Sequence, residues 1–272
     1  VISAGEHTGE SFVSKNVDEP YAVEADSSKS ISITAKTIDI ESTSNKNQNV
    51  WVADSWAGGK LTLGDSKTES ISITGANSYT GLGRQVIGLM SNGQGSTVTV
   101  TAKDLDISVT GERAIAINVG NNTQYDGVTQ PIPSDAAKMT INADRIHISS
   151  NDTGLGIFSN GQLTMNGDVT IDAKNDALNV RGFSITNINN TGDAHKTVIK
   201  GDINFGTPDE EEGDSHNSGN KIDARVNINF AGEGSQWTGR AYQQFGKTTS
   251  VELTGAPTYY GNATGLTLNF SD

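Results

Sequence analysis

The chain has 272 residues, a formal net charge of −13 and no cysteine; 33% of its residues are hydrophobic, 6% are aromatic and 31 are glycine. The acidic balance argues against nucleic acid as a partner, because phosphate binding needs a basic footprint, and without cysteine there are neither disulfides nor thiolate metal sites. So little apolar material does not fill a large globular core, but it suffices for a narrow core lined a few residues at a time.

In chain order, Ala22-Val23-Glu24-Ala25 reads as a strand met in mid-pattern with no complete repeat before it, so the sequence is expected to be a piece of a longer protein. A three-part motif follows: Ile31-Ser32-Ile33-Thr34-Ala35, then Ile38-Asp39-Ile40, then Val50-Trp51-Val52. Leu61-Thr62-Leu63, Ile71-Ser72-Ile73 and Ile87-Gly88-Leu89 repeat it with small insertions, and Val98-Thr99-Val100, Leu105-Asp106-Ile107 and Ile115-Ala116-Ile117 repeat it again. The next copies are Met139-Thr140-Ile141, Ile146-His147-Ile148 and Leu155-Gly156-Ile157, then Leu163-Thr164-Met165, Val169-Thr170-Ile171 and Leu178-Asn179-Val180. Each part alternates apolar and polar residues, the signature of a strand with one buried face.

Equivalent first strands begin at 31, 61, 98, 139 and 163, so the spacing varies while the order does not. Strands within a unit are too close for helical crossovers. Short strands in constant order bury their apolar sides by stacking coil on coil. The expectation is an all-β chain forming a single parallel β-helix, three short strands per coil, right-handed by the general preference for right-handed crossovers. Clear coils run from about 20 to 206. Small residues at Ala35, Ala102, Ala143 and Gly167 mark the bend between first and second strands. Gly58-Gly59, Asn92-Gly93 and Asn160-Gly161 follow the third, where a left-handed backbone costs little.

Stacking predicts outward columns, with Ser32, Thr62, Thr99, Thr140 and Thr164 on one face and Asp39, Ser72, Asp106, His147 and Thr170 on another. From 221 to 272 the pattern loosens. Ile199-Lys200-Gly201-Asp202-Ile203 matches Met165-Asn166-Gly167-Asp168-Val169, and Val226-Asn227-Ile228, Val251-Glu252-Leu253 and Leu266-Thr267-Leu268 read as further strands. No linker divides 1–272 into two domains.

Two features together resemble the passenger region of bacterial autotransporters (type V secretion). One is the rung style of Leu163-Thr164-Met165-Asn166-Gly167-Asp168-Val169-Thr170-Ile171, repeated along most of the chain. The other is the C-terminal order Ser235-Gln236-Trp237-Thr238-Gly239, Val251-Glu252-Leu253-Thr254-Gly255-Ala256 and Leu266-Thr267-Leu268, similar to late passenger coils. Where that family has Trp after the Gly-Ala step, Tyr259 and Tyr260 stand here. The resemblance implies a right-handed β-helical stalk exported to the bacterial cell surface. It also implies a non-enzymatic adhesin role in cell–cell aggregation, biofilm formation or host attachment, with no cofactor. Its partners would be copies of itself on neighbouring cells, or glycans and proteins of host or microbial surfaces. Neither nucleic acid nor membrane insertion by this stretch is expected.

The same residues bear on other chemistry. Parallel β-helices also carry polysaccharide-cleaving sites, which need two carboxylates on one groove; Asp39 and Asp106 share a face, but Ser72 stands between them, so both read as solvated ladder positions. Gly213-Asp214-Ser215 lacks the strand-to-helix elbow of a serine hydrolase. His7 and His195 lack partners at metal-ligand spacing. The run Asp209-Glu210-Glu211-Glu212-Gly213-Asp214 lacks the alternating ligands of calcium loops. Partner contacts are expected at Trp51, predicted to point outward and able to stack on a sugar or anchor an interface, at Trp56, and at Tyr125 in the insertion 121–137. They are also expected along the columns holding Asp39, Asp106, Thr99 and Thr140. The alternatives are a polysaccharide-binding or polysaccharide-cleaving protein, and an inert structural stalk.

Overall fold

The computed structural model describes the chain except for residues 1, 3, 82, 121–135, 159–160, 181–182, 192–193, 206–222, 244–249, 255–257, 261–262, 265–266 and 272. Among the described residues there is no helix, and all strands belong to one continuous sheet. The chain winds in coils with three faces. β1 (Gly5–Val17) supplies faces one and two of the first coil and β2 (Tyr21–Asp26) its face three; β3 (Ser30–Ser44) and β4 (Val50–Trp56) repeat this. The next coil divides into β5 (Lys60–Leu63), β6 (Ser70–Asn77) and β7 (Gln85–Asn92). β8 (Thr97–Thr110) with β9 (Arg113–Val119), and β10 (Ala137–Ser150) with β11 (Thr153–Ile157), return to two strands, while β12 (Gly161–Val180) runs through all three faces. Beyond it lie β13 (Phe183–Ile188), β14 (Thr197–Phe205), β15 (Asp223–Asn229), β16 (Gln236–Thr238) and β17 (Ala241–Gln243). β18 (Ser250–Thr254), β19 (Thr258–Tyr260), β20 (Ala263–Thr264) and β21 (Thr267–Ser271) complete the order.

Every pairing between coils is parallel, which makes the fold a parallel β-helix with rungs about 4.8 Å apart. The register aligns Ile31, Leu61, Val98, Met139 and Leu163 in one inward column of face one. Ile38, Ile71, Leu105, Ile146 and Val169 form the matching column of face two. All ten are buried, and one apolar cluster runs from Ala22 to Ala241. Each large aliphatic side chain so buried contributes roughly 1.5–3 kcal/mol, which is how a chain with few apolar residues holds together. The outward columns follow the same register: Ser32, Thr62, Thr99, Thr140 and Thr164 stack on face one, and Asp39, Ser72, Asp106, His147 and Thr170 on face two.

Two corners show why glycine is needed. Gly167 has φ 138°, and a Cβ there would lie 1.7 Å from the Ala143 carbonyl oxygen of the coil before it. Gly58, after the third strand, has φ 90° as its left-handed position demands.

The fold departs from the sequence reading at three places. A full rung on faces one and two precedes residue 20, because β1 pairs with β3 along Gly5–Val17. Its positions opposite Ile31, Ile33, Ala35, Ile38 and Ile40 hold Gly5, His7, Gly9, Phe12 and Ser14, too few apolar side chains to announce a strand. Secondly, Ile199 aligns with Ile171 and Ile203 with Leu178, so this segment belongs to faces two and three; face one of that coil is β13. The bend at Gly201 looks in sequence like the one at Gly167, but it turns a different corner. Thirdly, on face three both members of Ala22-Val23, Val52-Ala53, Ala116-Ile117 and Ala177-Leu178 enter the core. The strand bends there, and the two-residue alternation shifts by one position. Ile87 and Ile115 therefore align with Trp51, not with Val50, and lie outside the main core.

Candidate functional site

Along faces one and two, outward side chains bond to one another from rung to rung. Asn166 Nδ2 donates to Asn142 Oδ1 at 2.8 Å, Asn227 Nδ2 to Asn187 Oδ1 at 2.8 Å, and Ser149 Oγ to Ser108 Oγ at 3.0 Å. Asp39 is 2.9 Å from Lys15 Nζ, which also reaches Glu41 at 3.0 Å, and Asp106 is 2.9 Å from His147 Nδ1. Arg145 grips both oxygens of Asp104, which holds that carboxyl below the usual carboxylate range. Asp39 and Asp106 stand two rungs apart, roughly 10 Å at the usual strand spacing. Asp39 is engaged by Lys15 and Asp106 by the His147 ring, each on an exposed face, with Ser72 between. Thr99 is exposed and Thr140 half-buried in the face-one column. Tyr125 and the acidic run 209–214 lie outside the described residues.

Face three is different. Its outer side carries a second apolar cluster of Ile87, Met90, Ile115 and Phe158, against which Trp51 and Trp56 pack. Trp51 points outward as predicted but is half-buried. Its ring lies parallel to that of Trp56, with centroids 6.3 Å apart and planes at 7°, and Tyr21 meets it edge-on at 5.5 Å and 65°. Between the two indoles in sequence, on the same outer side, stands Asp54. It is 1% exposed, and neither carboxylate oxygen has a hydrogen-bond partner; the buried Nε1 of Trp51 also lacks one.

The register sets Glu24 beside Asp54 and Asp26 beside Trp56. Burial first, then the charges of Glu24 and Asp26, push the Asp54 carboxyl up to about 8. Burial and Asp26 raise Glu24 against the pull of Lys29, and burial followed by Glu24, Asp54 and Asp26 raises Tyr21. Further along the same face, Asn179 and Asn204 both donate Nδ2 to Asp176 Oδ2, at 3.1 and 3.0 Å, within buried surroundings.

Of the residues expected to meet a partner, the structure stacks Trp51 on Trp56 and sets Thr99 and Thr140 on adjacent rungs of face one. Asp39, Asp106, Thr99 and Thr140 lie on the other two faces. Tyr21, Glu24, Asp26 and Asp54 were missed as members of the patch. Their signal was in the sequence, since Asp54 follows Trp51 by three residues and Glu24 precedes the next coil's Asp54 at the same rung position, but reading it requires the face-three bend. Among the described residues no group of three or more histidine, aspartate or glutamate side chains converges as metal ligands would. Comparison with protein-family models, with curated proteins and with solved structures finds no match to this chain.

Proposed function

We propose that the chain is a non-enzymatic adhesive rod of the bacterial cell surface, the passenger region of an autotransporter. It would act by repeated weak contacts along its length. The observation that carries this reading is the parallel outward register of faces one and two, which stacks polar side chains on five successive rungs from Ser32 to Thr164 and from Asp39 to Thr170. Repetition on one rod, and on many rods per cell, turns weak contacts into avidity. The engagement of Asp39 by Lys15 and of Asp106 by the His147 ring, two rungs apart on an exposed face, favours adhesion over carbohydrate cleavage.

Contact with a second copy is the favoured partner. At a net charge of −13 such contact is opposed by repulsion, so salt or divalent cations should strengthen it. The test is a two-colour bead assay with the chain on one colour or both. Clumping only when both carry it, strengthened by salt, is the expected result; no clumping at any ionic strength overturns contact between copies. A second reading, glycan contact, is favoured by the Trp51–Trp56 pair, since indole faces stack on sugars. Binding of bead-borne chain to immobilised glycans, lost in Trp51→Ala, would support it.

A further inference from the structure

The face-three patch holds a buried carboxyl group with no counter-charge against it. Asp54 is buried without a hydrogen-bond partner, and such a carboxylate is costly unless neutralised or paired. From β2 it is faced by Tyr21, Glu24 and Asp26, all acidic groups or a phenol, and β7 brings no ionisable side chain between Gln85 and Asn92. Lys29, in the turn after β2, acts on Glu24 and not on Asp54. On the same outer side are three half-buried rings, two of them parallel indoles, whose faces attract cations, and the Tyr21 phenol lies within the field of Glu24, Asp54 and Asp26. A bare metal ion is a poor match, because it takes several oxygens at short range and the carboxylates do not converge as ligands. A weakly hydrated organic cation, satisfied by ring faces and one carboxylate, matches all of these features.

We propose that Tyr21, Trp51 and Trp56, with Asp54 and Glu24 on the same outer side of neighbouring rungs, bind an organic ammonium group, either a free quaternary amine or a methylated lysine side chain of a partner. This goes beyond the adhesive reading and stands without it. Beads can fail to clump while the site binds ammonium, and can clump while it does not.

The chain has three tryptophans, and the third, Trp237, is fully buried elsewhere, so indole fluorescence reports on the patch. The whole chain is titrated with tetramethylammonium chloride, with sodium chloride at equal ionic strength, and with tert-butanol as a neutral isostere. Saturable quenching by tetramethylammonium alone is expected. The ionised carboxylate is the attracting form, so affinity should rise about tenfold per pH unit from 6 toward 8 and level off above. Asp54→Asn should weaken binding at least tenfold at pH 8.5 and flatten the pH profile. Trp56→Phe, which keeps an aromatic face, should retain most of the affinity, and Trp56→Ala should lose it. A parallel titration with a trimethyllysine peptide assigns the source: tighter binding than tetramethylammonium means a partner's side chain, weaker binding a free amine. An equal response to sodium chloride, no saturation with either ammonium probe, or an unchanged pH profile in Asp54→Asn overturns the proposal.

Discussion

Faces one and two are built from the same kind of rung as face three, but their outer sides meet different surroundings. On β3 and β8 burial alternates almost residue by residue, whereas β7, β9 and β11 are buried on nearly every residue. A ladder covered on one side tolerates any polar outward column, because water satisfies what the column does not. A ladder covered on both sides must fill its outer positions with apolar side chains or with polar groups that find partners. Face three does the first with Ile87, Met90 and Ile115 and the second with Asn179, Asn204 and Asp176. Asp54 does neither: its carboxylate is buried and both oxygens are without a hydrogen-bond partner.

The largest effect that sharpens this contrast is the pH dependence of stability. The folded chain keeps a proton on Asp54 up to about pH 8, while the unfolded chain loses it near 4. Between those values the native state binds more protons, so stability falls as pH rises through this window and is level above it. Asp54→Asn removes that loss and should gain on the order of 5 kcal/mol over the parent at pH 9 relative to pH 4. Urea melts across this range would show the two curves diverging; parallel curves would mean that Asp54 is not held neutral.

Next in size is truncation on the outer sides. Ile87→Ala or Phe158→Ala should cost about 2–5 kcal/mol, as in a core, whereas Thr140→Ala on face one should stay within about 0.5 kcal/mol. Equal losses in denaturant melts would erase the distinction between the faces. Smallest is the exposed pair on face two: Arg145→Ala should cost at most about 1 kcal/mol, and less in high salt. A loss of several kcal/mol would mean that the outward columns hold the rod together.

Much of this protein was legible from its residues. Period-2 alternation at Ile31, Leu61, Val98, Met139 and Leu163 determined the strands, their stacking order and the outward columns of faces one and two, because inward and outward positions there differ in polarity. The parallel β-helix follows from strand order and short connections alone. Only the tertiary structure decided what happens where that contrast vanishes. On β1 the inward positions are nearly without apolar residues, and the rung exists because β3 offers a free edge for it to pair with. At Gly201 the corner is set by which coil lies beneath, and a local motif does not record that. On face three both sides are buried, so the polarity alternation that marks register is gone; the two-residue inward bend then places Trp51 with Ile87 and Ile115, and sets Asp54 beside Glu24 on the outer side.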